Sequence, residues 1–395
     1  MNFQTKKSES YFLSQPHQPF FILAITNAII MMLVFALDYK GILPLKISSL
    51  TFHVYSLIFL VFTNAFTGFL FTTFPRFNQS ETVKKSYYTY IFYANSIGSV
   101  LFLIGSLFSS VLIAVSMIII FISLFLTVLI LQSIYKNGIS PEKKDSFWIM
   151  IALHLGLIGN LLFILSIFVT DALQQTAIDI SFYLYLIFLA FCVAQRMIPF
   201  FSQSIVAKSK NFVKFVFILF IFKCIFAISG LKIGEAFIDT LIGVYMLKEF
   251  LKWKLNPFNS PPILWILHLA LFWLPLAFFL SAIGNIIELV YGINLYFLNI
   301  HLLALGFLTT VLIGFGTRVI LGHSGQIPHA DKTIVYLFYF TQIIVLSRAL
   351  YSLDIAFSWN LDFLFDISFT AWLILFIFWA IKYMKVLIFK KSTIN

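Results

Sequence analysis

The sequence predicts an all-α polytopic membrane protein of about twelve transmembrane helices packed in one bundle. Three observations carry this expectation. The 395 residues are 61% hydrophobic and only 10% charged, with a mean hydropathy of +1.00, whereas a soluble domain is about half apolar and about a quarter charged. Apolar runs long enough to span a hydrocarbon core about 30 Å thick recur along the chain. The lysines and arginines collect in alternate loops, as the positive-inside rule requires of a chain that crosses a membrane repeatedly.

The twelve expected spans are residues 20–37, 51–74, 87–108, 110–133, 147–169, 178–201, 211–229, 233–251, 262–283, 294–320, 333–352 and 364–388. The third and fourth are separated by so short a polar break that they form a tight helical hairpin. The eighth is the weakest, because it carries Glu235 and Asp239. Connections are short, so residues 1–395 read as a single bundle domain. Residues 1–18 are polar, and the first apolar run reads as a retained anchor rather than a cleaved leader.

With the N-terminus inside, cytoplasmic segments hold eighteen of the 26 basic residues, from Lys6 and Lys7 to Lys390 and Lys391, against three (Lys40, Lys46, Lys232) in outer loops. The other five, Arg196, Lys214, Lys223, Arg318 and Arg348, lie within or at the ends of spans. The asymmetry places both termini in the cytoplasm and accounts for the net charge of +11 without nucleic acid. Cys192 and Cys224 fall inside apolar runs and have no metal-clip spacing.

Arg76, Arg196 and Arg318 stand 120 and 122 residues apart, at the inner ends of spans 2, 6 and 10, with Pro199 beside the second. This spacing is that of three four-helix units, although arginines also snorkel at cytoplasmic helix ends without any repeat. Polar side chains inside the spans are the candidates for chemistry. His53 and His301 fall in the outer halves of spans 2 and 10, each followed fifteen residues later by a glycine, Gly68 and Gly316. Two imidazoles at one depth on facing helices suit axial ligation of a haem, so these are the candidate cofactor ligands. His154, His268 and His323 form a second, inner level, a candidate copper or zinc site. His17 and His329 read as solvated loop residues. Glu235 and Asp239 share one helical face near the outer end of span 8, with Lys223 as a partner or water as their solvent. Gly98, Gly105, Gly156 and Gly159 read as close-packing positions.

Several stretches resemble the NnrS family. They are residues 52–77 (FHVYSLIFLVFTNAFTGFLFTTFPRF), 195–201 (QRMIPFF), 264–276 (LWILHLALFWLPL) and 301–325 (HLLALGFLTTVLIGFGTRVILGHSG), with QPFF at 18–21 similar to the family's opening motif. The resemblance implies a bacterial inner-membrane protein containing haem and copper, linked to denitrification and relief of nitric oxide stress. Its partners would be the lipid bilayer and nitric oxide or another small ligand. The sequence departs from the pattern in two places. The family's H-x-H-E on span 2 is His53, Val54, Tyr55 and Ser56 here, so one potential ligand and one carboxylate are missing, and nitric oxide would bind either if one imidazole left or if Tyr55 keeps one face of the iron open. The arginine of the opening motif is Gln18.

Two other classes remain beside this reading. Haem-copper oxidases and nitric oxide reductases share the twelve-helix plan with haem ligands on spans 2 and 10, but that is a likeness of fold. Their second metal needs histidines on spans 6 and 7, where this chain has none. A transporter of a metal, haem or small ion would use Glu235 and Asp239. It would favour spans broken at mid-depth, and only Pro275 lies well inside one.

Overall fold

The computed structural model describes residues 11–390. Lys6, Lys7 and Lys391, which contribute to the lysine asymmetry, lie outside the described residues. Each expected span is a helix, and no strand occurs among the described residues. The helices are α1 (His17–Tyr39), α2 (Ser49–Phe77), α3 (Lys85–Phe108), α4 (Ser110–Asn137), α5 (Lys144–Phe168), α6 (Asp171–Phe201), α7 (Phe212–Ile228), α8 (Lys232–Lys252), α9 (Pro262–Tyr291), α10 (Tyr296–His323), α11 (Lys332–Phe357) and α12 (Phe363–Phe389). Ten are long and apolar enough to cross a membrane; α7 and α8 are not among them. Helix is the natural outcome for such runs, because hydrocarbon offers the backbone no partner and only a helix satisfies each segment internally.

Helix boundaries follow local chemistry. Ser48 accepts the Thr51 N–H to cap α2 at 3.2 Å, and Asp331 accepts the Ile334 N–H to cap α11 at 2.9 Å. Proline opens α9 at Pro262, where its missing N–H costs nothing. Gly292 closes α9 in the left-handed region at φ +70°.

Three helices form the centre. In α2, α6 and α10, 89%, 94% and 67% of the apolar stretch is buried, against 39–56% in the other spanning helices. The remaining helices surround them, with α4 packed on α5, α8 on α9, and α12 on α1, so the ring closes. Its outer surface is apolar: Val111, Val115, Ile118, Ile122, Phe125 and Leu129 run exposed along α4. Water would not tolerate so continuous a stripe, whereas lipid is its matching solvent. Polar side chains instead turn inward and pair, as in Asn27 to Ser99 at 2.9 Å and Asn95 to Asn64 at 2.9 Å.

Each central helix contains a π-helical segment: Ser56–Phe62 in α2, Ile180–Ile187 in α6 and Leu302–Thr309 in α10. The wider turn displaces carbonyls from their usual partners, and threonine hydroxyls take them up. Thr63 donates to Ile58 O, Thr309 to Ala304 O and Thr310 to Leu305 O, at 2.8, 2.8 and 3.0 Å, each reaching back five residues. Asn27 and Asn64 both donate to Leu60 O at 2.8 Å. Such segments concentrate at functional sites, and the one in α6 touches both of the others along the centre of the bundle.

The close-packing glycines behave as expected. A Cβ on Gly105 would lie 2.6 Å from Ile113 N, and one on Gly156 would lie 2.7 Å from the Tyr185 ring. Gly68 and Gly316 do similar work: a Cβ on Gly68 would meet Phe20 Cβ at 2.8 Å, and one on Gly316 would meet the Trp379 ring at 3.1 Å.

Candidate functional site

His53 stands on the helical turn just before the α2 π segment, and His301 immediately precedes the α10 segment. Their helices bring the two imidazoles to 6.3 Å between ring centres, with 24° between ring planes. His301 Nδ1 lies 2.7 Å from Phe297 O, one turn back on its own helix. A carbonyl only accepts, so Nδ1 carries the proton and the Nε2 lone pair of the neutral ring is left free. The His53 ring packs on Phe35 at 4.2 Å between centres.

Both histidines line a partly open cavity of about 670 Å³, within the range of about 300–1,000 Å³ typical of small-molecule and cofactor sites. All three π segments contribute to its wall, through Ile58 and Phe62, Phe182 and Leu186, and Leu305 and Leu308. The wall is mostly apolar; its polar groups include Gln175, Tyr296, Tyr39, Tyr351 and Arg348. Gln175 Nε2 donates to the Tyr296 hydroxyl at 3.0 Å and to Asp179 Oδ1 at 3.1 Å. Trp372 lines the cavity, whereas Trp273 and Trp379 pack on Gly306 and Gly316.

This arrangement can be tested for the group the sequence points to. A haem would need imidazole nitrogens free to ligate beside a cavity of its size. The two imidazoles stand with ring centres 6.3 Å apart, the His301 tautomer leaves its Nε2 lone pair free, and the cavity has the volume and mostly apolar wall for a flat, greasy cofactor. The residues present fit a haem.

The inner histidines do not assemble as expected. His154 lies exposed on the outer face of α5 and bonds Met150 O at 2.7 Å, one turn back on its own helix. His268 is buried and committed to structure, with Nε2 2.6 Å from Ser202 Oγ and Nδ1 3.1 Å from Asn256 O. Among the described residues no group of three histidine, cysteine or acidic side chains is placed to hold a metal ion. Residue spacing gave these three a common depth, but rotation about each helix axis points them in different directions. His323 instead meets His17, at 4.8 Å between ring centres. The expectation of a solvated His17 is also corrected: it opens α1 with 2% of its surface exposed, and its Nδ1 finds no hydrogen-bond partner. His329 is exposed, as expected.

Tyr55 does not bear on the histidine pair. Two helical positions are about 200° apart, so its ring turns away from the His53 side and packs between Phe59, Phe102 and Phe163. The hydration reading of the acids on α8 is likewise corrected. Lys223 Nζ lies 3.1 Å from Glu235 and 2.7 Å from Asp239, and all three are buried. Asp239 also accepts from Ser281 at 2.7 Å and Asn285 at 3.1 Å. At the opposite end of the bundle, Arg196 lies over the Phe77 ring at 4.4 Å and Arg318 over Phe201 at 3.9 Å, so each links two central helices. Arg76 is exposed where α2 ends.

Fold and site together define a polytopic helical membrane protein with a histidine-bearing cavity lined by its three central helices together with α1, α11 and α12. A family model described as NnrS protein matches residues 11–391. The chain belongs to the NnrS family. No curated protein matches it.

Proposed function

We propose that this protein holds a haem between His53 and His301 in the bacterial cytoplasmic membrane and acts in the response to nitric oxide. The supporting observation is the imidazole pair, with ring centres 6.3 Å apart, lining a cavity of cofactor size. When bound, the haem supplies an iron able to take a diatomic ligand or pass an electron. The chain contributes the rest. Phe297 O fixes the His301 tautomer, Phe35 packs against the His53 ring, and the mostly apolar wall suits a greasy occupant. His53 and His301 would hold the haem, and the π segments beside both, whose hydrogen bonding is looser than that of an α-helix, would give either side chain room to move. Copper is assigned no role among the described residues, where no three ligands gather.

The same reading includes twelve spans in three four-helix units, with both termini cytoplasmic. The arginine spacing supports the grouping, as do π segments beginning at Ser56, Ile180 and Leu302, each in the second helix of its unit. Transport is the weaker alternative, since the acids it would use are already engaged by Lys223.

The deciding experiment replaces each ligand in turn. His53→Ala or His301→Ala should abolish haem or convert a low-spin absorption spectrum to high-spin, while His329→Ala should change neither. Retention of parental haem content and spin state by both helix variants would place the ligands elsewhere.

A further inference from the structure

The cavity also carries a charge that iron ligation leaves unused. Arg348 lies on α11 nine residues before the helix ends, about 13 Å along the axis at 1.5 Å per residue. It lines the same cavity as His53 and His301. Its guanidinium donates to Ser352 Oγ at 2.6 Å and lies over the Tyr351 ring, 5.0 Å from the centroid. The Tyr351 hydroxyl shares a 2.7 Å hydrogen bond with the Tyr39 hydroxyl, and both rings line the cavity beside it. Among the described residues, no carboxylate lies within ion-pair distance of Arg348.

That arrangement is costly unless something completes it. Arginine cannot shed its proton, and a guanidinium at membrane depth without a counter-charge carries a substantial desolvation penalty. One hydroxyl and one ring face satisfy only part of its donor fork, which matches a carboxylate in two parallel hydrogen bonds. The rest of the wall is mostly apolar and carries no second charge, so an occupant suited to it is flat and apolar over most of its area and anionic at one edge.

We propose that Arg348 receives a carboxylate of the cofactor held between His53 and His301, so that it fixes which edge of the ring system faces α11. This rests on the haem reading, and the experiment separates the two. Haem-free protein purified in detergent is titrated with haem and with haem dimethyl ester, whose carboxylates are blocked, and both titrations are followed by the Soret absorption. Parent protein should bind haem about ten- to a hundred-fold more tightly than the ester, the effect expected of a charged hydrogen bond. Arg348→Gln should lose that preference while still giving a low-spin spectrum, and Arg348→Lys should keep part of it.

Equal affinity of the parent for haem and ester would overturn the role of Arg348 and leave the histidine ligation standing. A preference that survives intact in Arg348→Gln would overturn it too. If nitrite alone raised the melting temperature of the parent but not of Arg348→Gln, with no preference for haem over ester, the arginine would serve a free anion instead. Failure of the parent to bind either porphyrin would remove the haem reading itself. The parent comparison needs no variant, so the test holds even if Arg348→Gln does not fold.

Discussion

Lys223 shows what a single buried charge does in this bundle. Its ammonium bridges Glu235 and Asp239 with 3% of its side chain exposed, and Ser281 and Asn285 hold the second carboxylate in place. Removing one partner of a buried ion pair leaves the others uncompensated, at a cost of about 3–5 kcal/mol. Lys223→Met should therefore lower the unfolding midpoint in detergent markedly, and adding Asp239→Asn should recover part of the loss. An unchanged midpoint in the single variant would mean that the acids are neutral or hydrated. At this scale the sequence was only half legible. It placed His53 and His301 at depths that match only approximately, six residues apart when measured from Arg76 and Arg318, and the structure brings their rings together. It gave His154, His268 and His323 a shared depth too, and they diverge, because spacing along a helix sets height whereas packing sets direction. Arg348 did carry a signal, as a charge inside an apolar run, but nothing in the sequence tied it to the histidines.

Helices were the most legible level. Length and hydropathy located all twelve, because a segment's cost of exposure to water is summed over about 20 residues and tolerates local exceptions. The π segments left no such trace. They redistribute backbone hydrogen bonds without changing composition, and only the threonines that satisfy the freed carbonyls hint at them. Helix contacts were legible through glycine. A Cβ on Gly105 would sit 2.6 Å from Ile113 N and 2.9 Å from Leu112 C, both backbone atoms that cannot rotate away. Gly105→Ala should force α3 and α4 apart at a cost of about 1–3 kcal/mol, read as a lower unfolding midpoint. Gly322→Ala, where nothing lies within 4 Å, should cost little. Equal midpoints for the two variants would contradict the close approach.

At the scale of the whole molecule, the central trio α2, α6 and α10 and the ring around it follow one economy: polar groups and the cavity inside, apolar side chains facing lipid. Lysine placement predicts the orientation in the membrane. A reporter fused at the C-terminus should read cytoplasmic, and one inserted between Asp354 and Asp362 should read external; the reverse at either position would break the topology. The cavity was not legible, since it is made by six helices that meet only in the folded chain. Its occupant is the central claim, and the most direct measurement is the absorption spectrum of protein purified from haem-replete cells, oxidised and reduced, with and without nitric oxide. The account predicts a Soret band with the sharp reduced bands of six-coordinate low-spin iron, altered by nitric oxide and lost or converted to high-spin in His53→Ala and His301→Ala. A purified parent protein with no Soret band, or one whose band is indifferent to both substitutions, would contradict it.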